Sequence, residues 1–266
     1  MARLNIAPSP NAEIVLCRYN EAAHPKFRCL FEASSDSRLV HWARDPEEAS
    51  SAVVLENRSE KAITGLRYRW VLTDAVGDQR THMISNDSYM VDVFRAVADP
   101  GSRRLISPSG SVDEALIEHV LAGGGVLGGK ITSRRPSTDV VERTFEIDFI
   151  LFADGEIAGP DGDRFAAELQ CRKPAAEFVA KQIRTALAEG RDVTPVLSAL
   201  SEIPCLGRLG HKQGDPRVHW TKRYARDYLR AMRHQNQASF DMCEATVRHL
   251  ENLPMLPKFY RRAQSS

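Results

Sequence analysis

Residues 140–154, VVERTFEIDFILFAD, constrain the fold more than any other stretch. Val141, Phe145, Ile147, Phe149 and Leu151 alternate with Glu142, Thr144, Glu146 and Asp148, the period-two pattern of a long strand with one buried and one solvated face. The run ends at Asp154-Gly155, a tight-turn pair, and beyond Pro160 the apolar spacing changes to three and four. Strands are therefore expected up to residue 158 and helices after it.

The upstream pattern continues the sheet. Residues 12–33 predict two strands around a turn at His24-Pro25. Residues 52–56 and 63–74 predict a strand pair joined by a short turn at 57–61, with Leu66, Tyr68, Trp70 and Leu72 on one face of the second strand. Residues 79–84, 89–94 and 103–107 add further strands, separated by Gly, Asp, Asn and Pro at the spacing of an all-β sandwich. One interruption is expected: Ser111-Val112-Asp113-Glu114 reads as a capping box that starts a short helix over 111–122, closed by Gly123–Gly125.

Downstream, helices are predicted over 164–171, ending ahead of Pro174, and over 175–189, with Phe178, Val179, Ile183 and Leu187 on one stripe. Thr194 reads as an N-cap with Pro195 at the first helical position, and 218–235 and 240–250 give two more helices. The tail carries two prolines and is expected to run along the surface with Phe259 and Tyr260 as anchors. No Gly/Ser linker separates strands from helices, so the helices are expected to pack on or beside the sheets.

The runs AVVLENRSEKAITGLRYRWVLTD and FILFADGEIAGPD resemble, respectively, the central strand pair of bacterial immunoglobulin-like sandwiches and the sheet-to-helix junction of uncharacterised bacterial proteins that join such a sandwich to a helical tail. The resemblance implies an α+β chain. Residues 1–158 would form an immunoglobulin-like antiparallel β-sandwich with the inserted helix near 111–122, and 159–266 a helical region with an extended tail. It brings no functional residue with it. The Cys…Trp…Cys arrangement of antibody domains is not present, because no cysteine lies between Phe31 and Gln170.

A composition of 42% hydrophobic and 27% charged residues is that of a soluble globular protein and excludes disorder throughout. The first residues lack a basic start followed by an apolar core, and no stretch reaches the roughly 20 apolar residues of a membrane span, so a cytoplasmic location is expected. Cys17, Cys29, Cys171, Cys205 and Cys243 contain no CxxC pair and read as buried thiols rather than a disulfide framework or zinc site. Cys17 and Cys29 could face each other across a hairpin.

No catalytic centre, metal site or cofactor is expected. Gly124–Lys130 fits the Gly and Lys positions of a phosphate loop, but Ile131 stands where a hydroxyl is needed, and the loop would end a helix instead of opening one. Asn57-Arg58-Ser59 matches a glycosylation triplet that reads as a turn in a chain without a secretion signal. Glu146 and Asp148 share a strand face and read as part of an acidic surface rather than as an acid/base pair. The eight histidines form no metal-binding spacing.

The charge is uneven: residues 205–266 carry 12 Lys and Arg against 5 Asp and Glu, while the remainder of the chain is net acidic. Within that part, Arg223, Arg226, Arg230 and Arg233 recur at three and four residues as one stripe, beside an apolar and aromatic face of Val218, Ala225, Leu229 and Met232 flanked by Trp220, Tyr224 and Tyr228. The aromatic face is expected to dock on the sandwich, with the arginines solvated or turned toward Glu146 and Asp148. The leading expectation is a non-enzymatic protein-interaction or scaffold protein. Nucleic-acid or anionic-surface binding through the four arginines is the alternative, and an enzyme with a site between sandwich and helices the second.

Overall fold

A computed structural model describes residues 2–19, 50–87, 96–108, 110–113, 139–204, 215–234 and 260–261. Expected features in 20–49, 88–95, 114–138, 205–214 and 235–259, including the glycine-rich loop at 124–130, lie outside the described residues. The described chain is α+β and divides into two compact units. One is built of strands up to Pro160 together with Tyr260–Arg261, and the other of three helices beyond Asp161.

The strands are β1 Arg3–Ile6, β2 Ile14–Arg18, β3 Val53–Asn57, β4 Ile63–Asp74, β5 Gln79–Asp87, β6 Arg103–Ser107, β7 Gly110–Asp113, β8 Val140–Phe152, β9 Glu156–Ala158 and β10 Tyr260–Arg261. They form one sheet of order β10-β9-β8-β4-β5, with β1 also on β8, and a second of order β2-β3-β6-β7. Pairing is antiparallel except for β1 with β8 and β10 with β9. Of the tail, Tyr260–Arg261 pair with β9, and the rest lies outside the described residues. Leu66, Tyr68, Trp70, Phe145, Ile150 and Phe152 of the first sheet and Ile14, Val53, Leu55 and Ile106 of the second belong to one apolar core.

Two expectations about strands change. β3 and β4 do not pair, because β3 belongs to the second sheet and β4 to the first, so 57–61 is a crossing between layers. Asn57 organises it from full burial. Its Nδ2 donates to the carbonyls of Lys61 (2.9 Å), Ala98 (3.1 Å) and Asp99 (3.2 Å), and its Oδ1 accepts from the Ser59 hydroxyl (2.6 Å) and amide (3.2 Å). A chain leaving one layer for another cannot continue its ladder, and the amide supplies the partners the ladder no longer gives. The glycosylation triplet is therefore a corner with Asn57 and Ser59 buried and Arg58 exposed.

The second change is in β8. Arg67 pairs with Phe149 and Tyr68 with Ile147, which leaves Asp148 as an extra residue opposite the β4 ladder, a β-bulge. A one-residue insertion reverses the faces, so Ile150 and Phe152 join Phe145 and Ile147 in the shared core, while Phe149 and Leu151, though also fully buried, stand outside that cluster. Val141 is 48% exposed, and Asp148 is buried instead of outward. Asp154-Gly155 does not end the sheet. Asp154 Oδ1 accepts the Glu156 amide (3.0 Å), and β9 returns antiparallel along β8. At Gly159, φ is 104° and a Cβ would lie 2.5 Å from the Asp148 carbonyl oxygen, so the bulge and this glycine fit only together.

Ser111, Val112 and Asp113 lie in β7, paired with β6, so the first residues of the expected helix are strand, and 114–122 lie outside the described residues. The pattern S-x-x-E is met equally by a strand whose ladder satisfies its amides.

The helices are α1 Phe165–Ala188, α2 Val193–Glu202 and α3 Pro216–His234. α1 runs unbroken through Pro174, where two helices were expected. Pro174 removes one backbone bond, at a cost of about 3 kcal/mol. Buried Leu169 and Arg172 before it, and Ala175, Ala176 and Val179 after it, keep both halves on one packed line. Phe178 is 37% exposed and off that line. α2 is capped by Asp192, whose carboxylate accepts the Thr194 amide (2.9 Å), so the cap falls two residues ahead of Thr194 and Pro195 sits inside the first turn. No helix among the described residues is long and apolar enough to cross a membrane.

Candidate functional site

α3 carries the four arginines singled out in the sequence. It starts cleanly: the Asp215 carboxylate accepts the Arg217 amide (2.8 Å), and Pro216 occupies the first helical position. Trp220, Tyr224, Ala225, Tyr228, Leu229 and Met232 are buried, in one core with Ala175, Ala176, Val179, Ala180, Ile183 and Ala186 of α1 and Val193, Leu197 and Leu200 of α2. The aromatic face thus packs on the neighbouring helices of its own unit. Helices with complementary stripes bury each other first, because their apolar spacing matches.

That packing decides what the opposite side presents. Arg226 and Arg230 are exposed and Arg223 is half-buried, while the Arg233 side chain lies outside the description. Asp227 stands among them, 3.6 Å from Arg223 Nε and 3.9 Å from Arg230 Nη1. Pairs this exposed contribute about 0–1 kcal/mol, so the guanidiniums remain available for exchange. Arg226 has no ion pair among the described residues. Lys222 is turned elsewhere and donates to the Ile203 carbonyl at the end of α2 (3.1 Å).

Under this face lies a cluster that the sequence did not announce. Arg172 of α1 is 3% exposed, and its guanidinium sits 3.7 Å from the centroid of the Trp220 ring and 5.6 Å from that of Phe165. It also reaches Glu168 Oε1 at 3.3 Å, one turn back. Arg223 lies 5.3 Å from the same indole, and the His219 ring 5.5 Å away at 81°. The Trp220 Nε1 finds no acceptor among the described residues. Burial pushes His219 below the ordinary imidazole range, and Arg223, Arg172, Arg226 and Lys222 push it further. The one available signal was Glu168 with Arg172 at helical spacing, which marks an ion pair but not a stack.

The other groups read from the sequence do not assemble. Glu146 is bonded to Arg69 Nε (2.5 Å) across β8 and β4, while Asp148 is buried at the bulge, so the two do not form an acidic surface patch. Cys17 and Cys171 form no disulfide among the described residues, and both are half-buried. A cleft of about 380 Å³ lies between β1 and β2, lined by residues 6–9 and 16–18, and its Arg18 is bonded to the Leu4 carbonyl (2.7 Å). No group of three or more His, Cys, Asp or Glu is placed to hold a metal among the described residues. No protein-family model matches the chain, and neither the curated proteins nor the solved structures include a significant match to it.

Proposed function

We propose that this chain is a non-enzymatic interaction protein whose contact face is the arginine side of α3, and that its partner is an acidic protein surface. The observation that supports the reading is that packing uses the aromatic face of α3 within the helical unit, leaving Arg226 and Arg230 outward one turn apart. Asp227 favours a protein partner over a nucleic acid. A phosphate backbone presents negative charge about every 1.7 Å and would meet that carboxylate between the arginines, whereas a protein surface can place a cation opposite it. The sheet unit, which we take to be an immunoglobulin-like platform, is supported in that role by its two sheets sharing one core.

The test compares binding of a polyglutamate peptide and of duplex DNA to the wild type and to the double variant R226Q/R230Q, at low and high salt. Two rim charges of about 1 kcal/mol or less each predict a loss of about tenfold in affinity for the peptide, shrinking as salt rises. Unchanged peptide binding by the double variant overturns the reading. DNA binding that exceeds peptide binding at equal salt, with a steeper salt dependence, moves the reading to nucleic acid through the same arginines.

A further inference from the structure

We propose that His219 makes the docking of α3 on α1 acid-sensitive: when its imidazole takes up a proton, the Trp220 end of α3 loosens from α1 and the arginine face is no longer held in place. His219 lies in the first turn of α3, its amide bonded to the Asp215 carbonyl (3.1 Å), and its ring is nearly perpendicular to that of Trp220. Trp220 is the residue through which Arg172 of α1 and Arg223 of α3 meet, and it is almost fully buried. A charge added at His219 therefore acts on the seam between the two helices.

Among the described residues, every element packed around that seam opposes the charge or is indifferent to it. From α1 comes Arg172, with its partner Glu168. From α3 come Lys222, Arg223 and Arg226. The carboxylates on these helices are engaged: Glu168 with Arg172, Glu177 with Lys173, the Asp215 Oδ1 with the Arg217 amide, and Asp227 with Arg223 and Arg230. The neighbouring Cys171 thiol is pushed up by burial, Asp215 and Glu168, and stays neutral. α2 meets this core through Val193, Leu197 and Leu200, which carry no charge. An imidazolium would thus join four cations and find no vacant carboxylate among the described groups.

The sign follows from linkage. His219 is shifted down in the folded chain by burial and the surrounding cations, while the unfolded chain protonates at the ordinary 6.5. Its contribution to stability is complete above that value and is lost as the pH falls below it, because the unfolded state binds the proton more readily. The effect depends on packing inside the helical unit and not on what α3 binds, so it can fail while the binding reading stands, and the reverse.

The experiment follows hydrogen exchange of α3 amides in the full chain at about pH 7.5 and about pH 5, corrected for intrinsic rates. The wild type should show several-fold faster exchange over residues 216–226 in acid, R223Q a smaller rise, and H219Q, neutral at both values, no such rise. The same rise in H219Q overturns the proposal. Direct titration of the His219 ring by NMR in the wild type decides the matter even where H219Q folds poorly: titration below 6.5 supports it, and titration at or above 6.5 overturns it.

Discussion

The two units bury polar groups for different reasons. In the sheet unit the interior holds Asn57 and Ser59 at the layer crossing and Arg143 bonded to Ser51, and at its margin half-buried Ser111 Oγ accepts from Arg104 (2.7 Å) and Asn86 (3.2 Å) beside the Tyr68 hydroxyl. In the helical unit the fully buried polar side chains among the described residues are Arg172 and Thr221. A helix satisfies its own backbone, whereas a chain that switches sheets leaves carbonyls in the interior that only side chains can reach. Buried polarity at Asn57 in the first unit specifies connectivity; among the described residues of the second it is Thr221 and one stacked cation, Arg172.

The largest effect that separates them should come from Asn57→Leu, which keeps the volume and removes the amide. In the core the Ala98 carbonyl loses a donor and Ser59 loses its acceptor, while the carbonyls of half-buried Lys61 and exposed Asp99 lose a donor that water can replace. At about 1–3 kcal/mol for each buried group left unsatisfied, and with partial relaxation, a loss of about 4 kcal/mol is expected. It should be confined to the sheet unit. Urea unfolding read by hydrogen exchange would show β3, β4 and β6 opening early while α1–α3 keep their protection. A loss below about 1 kcal/mol would break the comparison, since it would mean that the crossing does not need its amide.

Next in size is Gly159→Ala. The positive φ and the approach to the Asp148 carbonyl combine, and backbone against backbone cannot yield as a side-chain end can, so about 3 kcal/mol is expected. Gly190, after α1, has a φ of 64° and open space where a Cβ would go. Gly190→Ala should therefore cost only about 1 kcal/mol, the conformational part alone. Thermal unfolding of both variants gives the measurement. Equal losses would show that the bulge at Asp148 can relax and that the sheet unit is less exacting at its edge than at Asn57.

These positions also mark what a sequence shows and what it hides. The alternation of β4 from Leu66 to Leu72 predicted its buried face residue by residue, because its ladder with β5 runs without a shift and preserves period two. In β8 the same alternation misled after Ile147, since the extra Asp148 reads as one more polar residue and the reversal of faces leaves no mark in the spelling. The short polar run at 57–61 serves a hairpin or a layer crossing equally, and only the partner strand decides. On α3 the arginine and aromatic stripes were both legible. What the aromatic stripe packs against was not, because amphipathicity gives a direction and no address. Arg172 as a buried stack was hidden entirely, its Trp220 partner being 48 residues away.

The smallest expected effect is the sharpest test of the contrast. Arg172→Met keeps a long, flexible, polarizable side chain against Trp220 and Phe165 and removes the charge and the contact with Glu168. Removing a buried guanidinium ends its desolvation cost as well as its stacking, and Glu168, with 24% of its side chain exposed, can turn to water. The two nearly offset, so a change within about 1 kcal/mol of wild type is expected, against about 4 for Asn57→Leu. The variant should also flatten the acid response of α3, because one of the cations that hold His219 neutral is gone and its folded protonation moves back toward the unfolded value. Loss of several kcal/mol in Arg172→Met would instead make Arg172 the equal of Asn57, an organising group without which the helices do not close.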